Sequence, residues 1–277
     1  MSRESSCKLS DALNEASTNP PRPYETERGP SATKRLLLLG GTQEARELAQ
    51  RLTSEKLWSV ISSLAGRTRA PLPLAGHVIS GGFGGDDNFT AFLRSERIEM
   101  VVDATHPFAT AITTRTHHLT NASGIPYLRL ARPSWVASRA DNWRPVPTVE
   151  EAALALPTDA RILLTIGRQK LAPFLARRDL TIFARMIDQP TIDIPNNCTV
   201  LLARPPFTIS EETALMIEHG VDHLVTKNAG GDALAAKLTA ARARSIPVIM
   251  IERPINQPPA NATTVAELMK LLTRHAD

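Results

Sequence analysis

KRLLLLGGTQEARELAQRL, residues 34–52, changes its hydrophobic period in the middle, and that change decides the fold. Leu36 to Leu39 make an apolar run too short for a membrane span and stopped by Gly40 and Gly41, the pattern of a parallel strand buried on both faces. Beyond the glycines, Ala45, Leu48, Ala49 and Leu52 recur at helical spacing. A strand, a glycine turn and a helix start bring unpaired N–H groups and the positive end of a helix dipole to one point, which favours a phosphate. Gly40, Thr42 and Ala45 stand where the dinucleotide fingerprint GxGxxG/A has glycine, glycine, and glycine or alanine. Thr42 departs from that pattern; its hydroxyl can bond a phosphate or cap the helix.

Outward from this stretch, the chain has 277 residues, of which 42 % are apolar, enough for one large core or two smaller ones. Residues 1–33 are rich in Ser, Asn, Pro and both charge signs, and read as a disordered tail. They lack an apolar signal core and carry Glu4, Asp11, Glu15, Glu25 and Glu27, so neither a secretory nor an organellar targeting segment is expected and the location expected is cytoplasmic. Cys7 and Cys198 predict no disulfide framework, and the seven histidines form no ligand set, so no metal is expected. A net charge of +4 with 4 % aromatic residues and no Lys/Arg block argues against nucleic acid as a partner, and no run is long enough for a membrane.

WSVISSL, residues 58–64, reads as a second strand followed by a Gly/Pro loop. In a dinucleotide site this strand's end faces the adenosine ribose, and an acid there marks NAD. Ser62 and Ser63 stand in its place and Arg67 follows, the arrangement expected for a 2′-phosphate, hence for NADPH. Residues 77–98 give a strand, a second glycine turn containing Gly82 and Gly84, and a helix. A buried strand then ends in Asp103, Thr105 and His106, with Pro107 at a first helical position, a helix to Ala122 and a strand over 127–132.

The second half repeats this plan. A shift of 121 residues carries Thr105, Ile125 and Arg132 onto Thr226, Ile246 and Arg253, and Pro follows both Ile and Arg in each set. Beyond each Arg-Pro lies a capping box, Thr148 with Glu151 and Thr264 with Glu267. Residues 161–178 mirror the opening element, 181–187 and 199–207 add strands, and Thr208 with Glu211 caps a helix. The fold class expected is α/β: two similar Rossmann-like parallel-sheet domains facing a common cleft, 34–140 and 141–277, the second including the C-terminal helix.

Strand ends of the second half supply Arg168, Gln169, Arg185, Arg204, Lys227, Asn228, Gly230 and Gly231 to that cleft, predicting a small-molecule ligand with several carboxylates or phosphates. Some of these arginines are expected to form salt bridges with Asp188, Asp193 or Glu252 instead. The cofactor side is assigned Gly40, Gly41, Thr42, Glu44, Ala45, Ser62, Ser63, Arg67, Gly82, Gly84 and Thr105. His106 is the candidate acid/base group, with a plain hydrogen-bonding role beside the cofactor as its alternative. No other acid/base pair stands out, which suits a reaction whose hard step is hydride transfer.

In this order, LLLLGGTQEAR, SSLAGR, GGFGG, VVDATHPFA, GIPYLRLARPSW, TIGRQKLAPF, ARMIDQP, LLARPPF, LVTKNAGGDALAAKL and IPVIMIERP resemble the precorrin-6A reductase family of cobalamin biosynthesis. The resemblance runs over residues 34–254. It implies two Rossmann-like domains and NADPH-dependent reduction of one ring double bond of precorrin-6A to precorrin-6B. The implied substrate is a macrocycle bearing acetate and propionate carboxylates, which suits the arginine rim. Pro206 stands where the family usually has glycine, and Ala229 where serine is common. Two other readings are the cobalt-containing branch with NADH as donor, which Arg67 disfavours, and a non-catalytic dinucleotide-sensing module, which would need no second cationic cleft.

Overall fold

The computed structural model describes residues 33–66, 68–69 and 71–276. Almost all of the tail, and Arg67, lie outside these described residues. The leucine run forms β1 (Arg35–Leu39), and the helical pattern after it forms α1 (Gln43–Glu55). Leu36 and Leu38 join one apolar cluster and Leu37 and Leu39 another, so successive side chains feed opposite faces and both faces are covered.

In chain order, β2 (Ser59–Leu64), β3 (His77–Ser80), α2 (Asp86–Ser95), β4 (Met100–Asp103), α3 (Thr110–Ala122) and β5 (Tyr127–Arg129) complete the first unit. Its five strands are all parallel in the order β3-β2-β1-β4-β5, with the order reversing between β1 and β4. Helix α3 starts at Thr110 rather than at the expected Pro107, because residues 106–109 form a turn closed by the Ala109 N–H on the His106 carbonyl.

The second unit contains β6 (Trp143–Val146), α4 (Val149–Leu154), β7 (Arg161–Thr165), α5 (Ala172–Leu175), β8 (Thr181–Met186) and β9 (Cys198–Leu202). It continues through α6 (Ile209–Glu218), β10 (His223–Lys227), α7 (Ala236–Ala243) and β11 (Val248–Ile251). Its six parallel strands run β6-β11-β10-β7-β8-β9. Matching β1 to β7 and β4 to β10 gives the same order as the first sheet, with β6 added beyond β11. The ladders place Asp103 opposite Thr226 in the match and Arg129 opposite Met250. The shift of 121 therefore holds at β5/β11 but is two residues short at β4/β10, so Thr226 lies inside its strand while Thr105 lies past the end of its own.

The C-terminal helix α8 (Val265–Ala276) corrects the expected boundary: it packs on the first sheet, not the second. Val265, Leu268, Met269 and Leu272 bury against α1 and β1, and the Trp58 indole N–H donates to the Leu272 carbonyl at 3.3 Å. Residues leading into α8 run beside β5, with a parallel bridge between Leu130 and Ala262. Reciprocally, β6 and α4, which follow β5 in sequence, add to the second sheet and its core. Each unit thus sends the segment after its β5-type strand to cover the other. The physical reason is that α8 finds an open apolar face beside α1, while α4 and α5 already cover the matching face of the second sheet.

Candidate active site

The turn between β1 and α1 is built from both sides. The Gly40 N–H donates to the Ser63 carbonyl at 3.0 Å, and a Cβ on Gly40 would press within 3.4 Å of the Ala45 methyl. Gly41 has φ +117° and open space where a Cβ would lie, so it, and not Gly40, presents a bare backbone outward. Thr42 caps α1 by accepting the Ala45 N–H at 3.1 Å and donates its hydroxyl to the Ala104 carbonyl at 2.8 Å. That hydroxyl ties α1 to the end of β4 across the switch point; it does not face outward for a phosphate.

Of the residues expected at the ribose, Ser62 is fully buried, and its hydroxyl has no hydrogen-bond partner among the described residues. Ser63 is buried too, and serves the turn through its carbonyl. Gly82 and Gly84 lie in the turn before α2, brought beside the end of β2 by the Gly81 N–H on the Leu64 carbonyl at 2.9 Å. The loop after β2 also touches the second unit, where the Arg69 N–H donates to Asp188 Oδ2 at 3.2 Å.

At the end of β4, buried Asp103 accepts the Thr105 N–H at 2.9 Å, the Thr105 hydroxyl at 2.6 Å and the Tyr127 hydroxyl at 2.9 Å. Burial, then the neighbouring carboxylate, pushes the Tyr127 phenol far above its usual value, so it stays a donor. His106 Nδ1 accepts the Phe108 N–H at 3.2 Å, which leaves the ring proton on Nε2. Burial, followed by the positive charges of Arg132, Lys227, Arg253 and Lys237, pushes this imidazole down to about 3. His106 is therefore neutral at any ordinary working pH.

Those cations mark the junction of the two units. A narrow crevice there is lined by Thr42, Glu44, Ala104, Thr105, Pro107 and Arg132, among others. Glu44, in the first turn of α1, takes Arg132 Nη1 on both oxygens, at 2.8 and 2.7 Å. Burial alone would raise this carboxyl; the hydrogen bond and charge of Arg132 hold it below its usual range. Arg132 Nε donates at 2.8 Å to the carbonyl of Ala229 in the second unit. Arg253, its repeat partner, donates to the carbonyls of Asn228, Ala229 and Arg132 itself.

This network reassigns part of the expected substrate rim. Asn228 is buried and exchanges hydrogen bonds with the backbone of Trp135, while its amide also reaches Glu252. A Cβ on Gly230 would lie 1.9 Å from the Pro133 carbonyl oxygen, and one on Gly231 2.8 Å from Arg132 Cδ. Asn228, Gly230 and Gly231 thus receive the connecting segment 132–135. Arg185 is likewise removed from the rim: both its terminal nitrogens meet buried Glu212, at 2.9 and 2.8 Å, and its guanidinium stacks on Phe207. The acid that claims it is none of the three expected; Glu212 lies inside a helix pattern and gave no signal.

Arg168, Gln169, Arg204 and Lys227 remain at strand ends of the second sheet. Lys227 Nζ donates to the Ile166 carbonyl at 2.8 Å and lies 5.4 Å above the Phe108 ring of the first unit, so it faces the junction beside His106. Buried Lys237 lies against the Trp135 ring, and burial pushes its ammonium down to about 8. Sequence reasoning missed Arg132, Arg253, Lys237 and the Asp103–Tyr127 pair. The matching Arg-Pro pairs of the repeat were the signal for the two arginines.

With this geometry in view, the family described as "Precorrin-6x reductase CbiJ/CobK" matches residues 35–273. A precorrin-6A reductase of Rhodococcus erythropolis is 46 % identical over 230 residues, covering 83 % of this chain and 92 % of the relative. A cobalt-precorrin-6A reductase of Priestia megaterium is 30 % identical over 233 residues, covering 79 % and 90 %. Among solved structures, "CobK precorrin-6A reductase" superposes with a TM-score of 0.82 at 36 % identity, covering 87 % of this chain and 97 % of that one.

Proposed function

The chain belongs to the precorrin-6x reductase family, and from that premise we propose that it reduces one ring double bond of precorrin-6A, giving precorrin-6B, with NADPH as the donor. The observation that carries the reading is the bare Gly41 backbone at the start of α1, together with Lys227 of the second unit, which faces the first unit across the junction over the Phe108 ring. A diphosphate fits the first of these by helix dipole and open backbone, and a polycarboxylate fits the second by charge.

A bound nicotinamide would supply the hydride; the protein's own residues bind, orient and exclude water. The backbone of Gly41 and the N–H groups that open α1 would hold the diphosphate. Thr42 keeps that turn in register with the end of β4, where Asp103 and Tyr127 fix Thr105. Neutral His106 offers Nε2–H as a hydrogen-bond donor and is not charged to act as the acid. Arg168, Arg204 and Lys227 are assigned to substrate carboxylates.

NADPH is preferred to NADH in this reading because β2 ends in Ser62, Ser63 and Leu64, with no carboxylate to repel a 2′-phosphate. Arg67 is assigned to that phosphate. Anaerobic turnover of precorrin-6A and its cobalt form with each donor, followed by product mass, tests the proposal. Fast reduction of the metal-free substrate with NADPH is expected; preference for the cobalt form with NADH would replace it. Arg67→Ala should weaken NADPH about tenfold and leave NADH unchanged, read by calorimetry.

A further inference from the structure

Arg132 touches the two proposed ligand sides at once. Its Nη1 holds both oxygens of Glu44 in the first turn of α1, and its Nε donates to the Ala229 carbonyl in the loop that follows β10. The loop is closed tightly on this side chain. Gly231 has no room for a Cβ, which would meet Arg132 Cδ at 2.8 Å, and Arg253 donates to both the Ala229 and the Arg132 carbonyls. Arg132 therefore cannot move relative to Glu44 without disturbing the loop that continues from Lys227.

A carboxylate in the first turn of a helix is favoured by the dipole, but it sits where a diphosphate would also bind, and like charges repel. Arg132 is what neutralises Glu44. A ligand that holds the second unit's loop in place fixes Arg132 over Glu44 and lowers that repulsion; a bound diphosphate, in turn, favours the loop position that keeps Arg132 there. By linkage the two effects are equal.

We infer that the Glu44–Arg132 pair is a positioning device through which cofactor and substrate each tighten the other's binding. The inference rests on the functional reading above for the identity of the ligands.

The test measures the NADPH dissociation constant, by fluorescence, with and without saturating precorrin-6B, a pair that forms a dead-end complex. The wild type should bind NADPH at least about fivefold tighter with the product present. Glu44→Gln should bind NADPH alone at least as tightly as the wild type, because the repelling charge is gone, and its coupling should fall to near one. Arg132→Lys keeps a charge beside Glu44 but cannot also bond Ala229, so it too should lose the coupling while still binding NADPH. A residue that only braced the fold would shift melting temperature and both affinities and leave their coupling intact. Wild-type coupling retained in both variants, or no coupling in the wild type, overturns the inference. Wild-type protein that binds no NADPH at all overturns the functional reading first.

Discussion

Gly40 and Gly41 look equivalent in the sequence but do different work. Gly40 packs against Ala45 to seat α1 on the sheet, whereas Gly41 takes a left-handed φ over open space. Gly41→Val should therefore weaken NADPH binding severely, at a backbone cost of order 1–3 kcal/mol, while Gly40→Val should lower stability as well as binding; calorimetry and melting curves separate the two. His106 makes a prediction in pH. Its folded pKa of about 3 lies below the ordinary 6.5, so between these values the unfolded chain binds more protons. The stability it contributes is fully present above about pH 6.5 and is lost as pH falls toward 3, and His106→Asn should flatten that limb in denaturant titrations. The same depression means that the kcat profile should show no histidine inflection near pH 6.5; one assigned to His106 by its loss in the variant would contradict the neutral-donor role. For Arg185, the buried pair with Glu212 predicts that Arg185→Ala costs about 3–5 kcal/mol of stability, and a rise in KM with stability unchanged would return it to the rim.

Elements were legible where local signals decide them. The four-leucine run, the shift to helical spacing, and the caps Thr148, Thr208 and Thr264 each specified an element from adjacent residues, and all are present. What local pattern could not carry was the destination of an element. The Val265, Leu268, Met269 and Leu272 stripe shows that α8 buries one face, but nothing in the stripe names the sheet it covers. For the same reason the strand-end positions of Arg185, Asn228, Gly230 and Gly231 were readable while their partners, distant in sequence, were not. Leu272→Ala in α8 should cost about 2–5 kcal/mol, and the loss should appear as faster amide exchange in β1 and α1 before β7 and β10. Exchange rising first in the second sheet would place α8 where the sequence had put it.

At the scale of the whole molecule, two copies of one plan have exchanged the segments that follow their β5-type strands, and the exchange brings Arg132 and Arg253 to one loop. The β1–α1 turn of one unit is thereby tied through Glu44 and Arg132 to the loop that follows Lys227 in the other, the arrangement the proposed reduction needs if a dinucleotide and a polycarboxylate macrocycle are to meet. The most direct test is an anaerobic single turnover of precorrin-6A with NADPH deuterated at its transferable hydride, followed by product mass. A reduced macrocycle carrying one deuterium from the nicotinamide is expected. No reduction with NADPH, or a reduced product without that deuterium, would contradict the proposed function.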